Sequence, residues 1–159
     1  MTLVPFRKRW PALAVILLVT LGGGALVGFL TRDSMSVYQQ ITTPSFAPPG
    51  WLFPVAWSLL YAAMSVSLLL VIRRDPLNRG FIVLYALQLL VNLVWPFIFF
   101  TMQAFGLAFW WLILLLALVI WLMVRAFSIT PAAGWLLVPY AAWCAFAAVL
   151  SFAVARLNP

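Results

Sequence analysis

Gln88, Asn92 and Trp95 are spaced four and three residues apart. On a helix this spacing places them on one face, and Phe99 continues the line. Pro96 follows Trp95 directly. A proline inside a helix removes the hydrogen bond to the carbonyl four residues back, which here is that of Asn92. One point on the chain therefore offers a carboxamide and a loosened backbone carbonyl. Such groups can contact a ligand, or they can join one helix to another. A second stripe, Tyr140, Trp143, Ala147 and Ser151, recurs at spacings of three and four. Pro139 loosens the carbonyl of Trp135 beside it. The small residues Ala147, Ser151 and Ala155 allow close approach of another helix. Trp57 and Tyr61, four apart, form a third aromatic pair.

The chemistry open to these groups is narrow. The chain has no histidine, and its acidic residues are Asp33 and Asp75. A haem electron carrier would normally use a histidine ligand. Proton- or ion-coupled transport normally uses intramembrane acids, and no apolar run contains one. General acid–base catalysis would fall to Tyr61, Tyr85, Tyr140 or Cys144. A lone cysteine supports neither a disulfide framework nor a zinc site. No catalytic residue, metal site or obligatory cofactor is assigned.

The elements that must carry these residues are apolar throughout. Hydrophobic residues make up 67% of the 159-residue chain and charged residues only 7%, against about a quarter in soluble domains. That excludes a soluble fold. A helix needs about 20 apolar residues to cross a bilayer, and five stretches qualify, near residues 11–30, 51–72, 81–100, 106–125 and 133–155. The expected fold is an all-α integral membrane bundle of five spans, in a single domain covering residues 1–159. The first loop, residues 31–50, is long enough to have a function of its own. An odd span count argues against an inverted-repeat transporter. Arg7-Lys8-Arg9 before an apolar run is also the layout of a signal peptide. The run is longer than a typical signal core, however, and no clear cleavage site ends it.

Trp10, Trp110, Trp121 and Trp135 fit an interfacial belt or lipid-facing positions, and Trp51 is an interface anchor or a pocket residue. Trp143 lies two turns deeper than a belt explains, so pocket or core suits it better. Gly24 and Gly28 form a G-x-x-x-G pair on the first span. They suit a dimer interface, or packing within the bundle.

Three segments resemble one known family. PSFAPPGWLFPVAWSLLY, residues 44–61, is similar to a P-x-W-x-P-P loop leading into a Trp-bearing second helix. QLLVNLVWPFIFF, residues 88–100, is similar to Q-x-x-x-N-x-x-W…F-F, and VPYAAWCAFAAVLSFAVARLN, residues 138–158, to P-Y-x-x-W near the start of the last helix. Together with five spans and matching loop lengths, these resemble the TspO/MBR family of bacterial tryptophan-rich sensory proteins and mitochondrial translocator proteins. The resemblance implies a five-helix bundle, often homodimeric, with a pocket under the first loop for tetrapyrroles such as protoporphyrin IX. Carried over by motif, the pocket residues are Trp51, Trp57, Tyr61, Gln88, Asn92, Trp95, Tyr140, Trp143 and Ala147. Tyr38, Phe46 and Ser151 complete the set. Tyr38 lacks the usual Trp neighbour, Phe46 replaces the usual Trp, and Ser151 replaces a frequent Asn. A sterol-recognition pattern needs Tyr where this chain has Phe152, so sterol binding is not expected. The prolines of the loop would hold it extended over the aromatic residues as a lid.

The expected function is a membrane receptor, sensor or carrier for a flat hydrophobic tetrapyrrole, with the lipid bilayer as surroundings and a homodimer as partner. The alternatives are light-dependent degradation of a bound porphyrin, which needs only nearby tryptophans, and transport. The net charge of +7 does not signal nucleic acid, because the basic residues flank apolar runs. Arg7, Lys8, Arg9, Arg73, Arg74, Arg79 and Arg125 fall on one side of five spans, and Arg32 and Arg156 on the other. The positive-inside rule then places the N-terminus in the cytoplasm and the C-terminus outside a cell membrane. A periplasmic reporter fused after Asn158 is expected to be active, and one inserted near Asn78 inactive. The reverse pattern would refute the orientation.

Overall fold

The computed structural model describes residues 10–32, 36–76 and 78–159, apart from the side chains of Trp10, Ala12 and Leu13. Arg7, Lys8, Arg9 and Asp33 lie outside the described residues. The order is α1 (Trp10–Leu30), a short α2 (Val37–Gln40), α3 (Leu52–Arg74), α4 (Arg79–Pro96), a π-helical turn (Phe97–Thr101), α5 (Phe105–Ile129) and α6 (Pro131–Leu157). Four of the helical spans, Leu52–Arg74, Arg79–Thr101, Phe105–Ile129 and Pro131–Leu157, are long and apolar enough to cross a membrane, and Ala14–Leu30 is a shorter apolar helix. The architecture is the expected all-helical membrane bundle. The last two helices run a few residues beyond the expected spans, so Arg125 lies inside α5.

The boundaries follow local chemistry. Arg73 and Arg74 close α3, where cations complement the helix C-terminus. Asn78 starts α4 by accepting from the Phe81 amide at 3.0 Å, while its own amide donates to Asp75 Oδ2 at 2.9 Å. Thr130 is extended at φ −156° and ψ 124°, as expected for a residue before proline, and Pro131 opens α6. Pro96 has no amide hydrogen to continue α4, and the next turn widens. There the Met102 amide donates to the Phe97 carbonyl at 2.8 Å.

On α5, Leu112, Leu115, Val119, Leu122 and Ala126 are fully buried, whereas Trp110, Leu114, Trp121 and Val124 are exposed. Both faces are apolar, as a helix surrounded by protein on one side and lipid on the other requires. Trp110, Trp121 and Trp135 point outward as expected, and the side chain of Trp10 lies outside the described residues. α5 and α6 form a close hairpin at Gly134, where any Cβ would collide with the Phe127 ring. Ser67 of α3 donates to the Ala133 carbonyl of α6 at 2.9 Å.

The first loop is not extended throughout. It contains α2 and a turn in which the Ala47 amide donates to the Pro44 carbonyl at 2.9 Å. Asn158, at the end of α6, holds it from the far end of the sequence. Asn158 Oδ1 accepts from the Thr42 amide at 3.0 Å, and Nδ2 donates to the Thr42 carbonyl at 2.9 Å. First loop and C-terminus therefore share one end of the bundle.

The two glycines of the α1 pair have different surroundings. Gly24 faces Tyr61 of α3 so closely that a Cβ would run into the tyrosine ring. Its missing side chain serves packing within the bundle. Among the described residues, nothing lies within 4 Å of where a Cβ on Gly28 would stand. Gly24→Ala is therefore expected to destabilise the protein by about 1–3 kcal/mol through overpacking. Gly28→Ala should stay within about 0.5 kcal/mol of the parent. Thermal unfolding in detergent compares the two, and equal midpoints would contradict the Gly24–Tyr61 packing.

Candidate functional site

Four side chains from three helices form a single hydrogen-bonded run. The Tyr61 hydroxyl of α3 donates to Asn92 Oδ1 of α4 at 2.7 Å. Asn92 Nδ2 donates to the Tyr140 hydroxyl of α6 at 2.9 Å. Tyr140 donates in turn to Gln88 Oε1 at 2.8 Å, and Gln88 Nε2 to the Tyr85 carbonyl at 3.0 Å. Every donor points the same way along the run, which fixes both amide orientations. Tyr85 extends the polar layer to α1 through Thr20 Oγ1 at 2.9 Å. Trp57 stacks on Tyr61 with ring centroids 5.4 Å apart and meets Tyr140 edge-on at 6.2 Å.

In front of this run lies a cavity of ≈330 Å³ between α1, α3 and α4, within the range of about 300–1,000 Å³ found for small-molecule sites. Trp57, Tyr61, Asn92 and Trp95 form its aromatic and polar wall. Leu21, Gly24, Ala25 and Gly28 of α1 form the opposite one. Among the described residues, the wall contains no charged side chain. Its chemistry is an aromatic slot with one carboxamide, suited to stacking and neutral hydrogen bonding.

Smaller spaces surround it. Phe53 and Phe100 line the cavity, a small annex beside it, and a hollow of ≈560 Å³ under the first loop. The loop-side hollow is bordered by Arg32, Tyr38, Gln39 and Trp51. Arg32 lies over the Phe29 ring at 4.3 Å. Tyr38 donates to the Pro48 carbonyl at 3.2 Å. Partial burial raises the Tyr38 phenol above its ordinary value, so it remains a neutral donor.

The residues singled out from sequence divide among these spaces. Trp57, Tyr61, Asn92 and Trp95 share the main cavity. Tyr140 and Gln88 do not line it. They are fully buried behind it and hold Asn92 in place. Tyr38, Ala147 and Ser151 border the annex. Trp51, 66% exposed, stands at the loop-side hollow. Trp143 does not face the main cavity. It lines an outward groove between α3 and α6 with Pro48, Leu52 and Phe146, and its ring contacts Phe53 at 6.1 Å. Phe46 packs on Phe146 at 6.4 Å, also on that side. A single cavity joining Trp57 to Trp143 is therefore corrected to a cavity and a separate groove.

Sequence reasoning missed the α1 wall, Phe53, Phe100 and the Asn158 clasp. The α1 wall has one readable signal, its run of glycines, which by spacing alone suits a dimer interface or packing within the bundle. Phe53 and Phe100 are ordinary apolar residues in apolar runs, and nothing in their spacing marks them.

Comparison with known proteins fits this arrangement. The TspO/MBR family profile matches residues 14–157. The tryptophan-rich protein TspO of Chlorobaculum tepidum is 34% identical over 135 residues, 82% of this chain and 85% of the relative. The tryptophan-rich sensory protein of Cereibacter sphaeroides is 34% identical over 152 residues, 92% of each chain. The human translocator protein is 32% identical over 152 residues, 93% of this chain and 90% of the relative.

The hydrogen-bonded run yields a direct test. Tyr140→Phe keeps the ring but leaves Gln88 Oε1 and Asn92 Nδ2 each short of a partner. It is expected to cost about 1–3 kcal/mol. Ser128→Ala, at an exposed position on α5, should change stability by less than about 0.5 kcal/mol. Equal thermal midpoints for the two variants would contradict the network.

Proposed function

The chain belongs to the TspO/MBR family, and we propose that it is a membrane receptor or carrier that binds tetrapyrroles of the protoporphyrin IX type. The observation that carries this reading is the aromatic cavity lined by Trp57, Tyr61, Asn92 and Trp95, with no charged side chain among the described residues of its wall. A flat macrocycle would stack on Trp57 and Tyr61 and meet the Asn92 carboxamide at its edge. Its carboxylates would lie toward the loop-side hollow, where Arg32 borders the space. The printed names of the relatives, sensory protein and translocator protein, favour sensing or carriage over catalysis. The chain has no histidine, and among the described residues no acid stands in the wall to perform general acid–base chemistry.

The homodimer implied by the resemblance belongs to the same proposal. Gly24 is committed to Tyr61, so the outward face of α4, with Val83, Leu87 and Leu90 exposed, is the better place for the contact. The N-terminus is proposed to face the cytoplasm.

Protoporphyrin IX should quench tryptophan emission of the purified protein in the dark. Trp57→Phe should weaken affinity roughly three- to tenfold, the loss expected for one stacked aromatic. Trp110→Phe, on the lipid face, should leave affinity unchanged. Equal affinities for both variants and the parent would reject this cavity. Loss of the bound porphyrin's absorbance in light but not in darkness would turn the reading toward photochemical degradation.

A further inference from the structure

Four arginines gather at the end of the bundle away from the first loop. The Asn158–Thr42 pairing puts the C-terminus at the loop end, and short turns make α3 to α6 alternate in direction. The α3–α4 and α5–α6 turns therefore share the opposite end. Arg73 and Arg74 close α3 there, Arg79 opens α4, and Arg125 stands in the last turns of α5. Among the described residues the one acid at this end is Asp75, which accepts from Asn78 Nδ2 at 2.9 Å.

Two of these arginines stand side by side on neighbouring helices. Trp111 Nε1 of α5 donates to the Val91 carbonyl of α4 at 2.7 Å, which fixes the register of the pair. From there Arg125 lies fourteen residues along α5, and Arg79 twelve residues back along α4. At about 1.5 Å per residue, the two come within about 3 Å of one level. Arg125 is two heptads from Trp111, so it sits on the flank of α5 that adjoins α4. Both arginines are exposed, and neither has a hydrogen bond or ion pair among the described residues. On the same side of α5, Trp121, Leu114 and Leu107 recur every seven residues, and all three are exposed. This apolar stripe runs about 21 Å along the helix, more than the roughly 15 Å depth of one leaflet.

We propose that Arg125 and Arg79 bind the phosphodiester of an anionic phospholipid, with its glycerol against Trp121 and an acyl chain along the Leu114–Leu107 stripe. A guanidinium on a lipid-facing helix reaches up to the headgroups, where it pairs strongly with phosphate. An exposed indole one turn deeper suits the glycerol level. Charge selects the class of lipid. A zwitterionic headgroup would bring a second cation among arginines that already outnumber the acid, whereas a phosphatidylglycerol headgroup brings none. The apolar stripe beneath selects a lipid over a free phosphate. The site is independent of the porphyrin reading and lies at the other end of the bundle from the first loop.

Native mass spectrometry of the detergent-solubilised full chain, with equal amounts of dioleoyl phosphatidylglycerol and dioleoyl phosphatidylcholine, counts the bound lipids. One arginine near an anionic headgroup is worth about fivefold, so phosphatidylglycerol is expected to be preferred about twentyfold. Arg125→Gln should reduce that preference about fivefold, with the thermal midpoint retained. Arg79→Gln should do the same, and serves as the second variant should Arg125→Gln fail to fold. Arg156→Gln, exposed at the loop end, should leave the preference unchanged. Equal binding of the two lipids overturns the proposal. So does a preference that survives in both Arg125→Gln and Arg79→Gln, or one that falls equally in Arg156→Gln. Binding of glycerophosphoglycerol or inorganic phosphate as tight as that of the whole lipid would also overturn it, by showing an anion site without a place for the chains.

Discussion

Hydrocarbon offers no hydrogen bonds, so every polar group carried into it must find its partner within the protein. The run Tyr61–Asn92–Tyr140–Gln88 is how this chain meets that demand at its centre. It joins α3, α4 and α6, and Thr20 with Tyr85 brings in α1. Each such bond in a membrane is modest, about 0.6 kcal/mol on average. Their weight lies in geometry, because a carboxamide with both ends occupied has one orientation and one depth. Asn92 can present a defined edge to the cavity only because Tyr140 and Gln88 are held behind it.

The cavity exists because α1 packs on the bundle less completely than the other spans do. Gly24 lets α1 approach Tyr61, while among the described residues nothing lies near Gly28. α1 thus touches α3 at one level and stands away from it at another. Large rings fill the opposite side, with Trp95, Phe99, Phe100 and Phe105 packed at centroid separations of 4.9 to 5.9 Å. The π-helical turn after Pro96 holds Phe99 and Phe100 within this cluster. Proline chemistry on α4 is in this way linked to the shape of the space between α1 and α3.

The first loop is held by its own prolines and by the far end of the sequence. Prolines stiffen the loop, Tyr38 ties it to the Pro48 carbonyl, and Asn158 clasps Thr42 by its backbone. A side-chain amide that pairs with both the N–H and the C=O of one residue substitutes for a neighbouring strand. It thereby satisfies loop backbone that has no secondary structure of its own. Phe53 and Phe100 border both the loop-side hollow and the cavity.

By itself the sequence determined that this is a helical membrane protein, where most spans begin and end, and which polar residues matter. Those features rest on local rules: hydrocarbon thickness, proline's missing amide, and helix periodicity that aligns Gln88, Asn92 and Trp95. The motifs at residues 44–61, 88–100 and 138–158 also carried the family resemblance. Tertiary structure alone decided which of these residues face one space. Tyr140 and Trp143 are three residues apart on α6, yet one supports the network and the other lines an outward groove. A helix in lipid is apolar on every side, so polarity does not reveal which face turns inward. Only the packing of α3 and α4 against α6 makes that assignment. The same holds for Gly24, whose role is set by the Tyr61 ring opposite it and not by its spacing from Gly28.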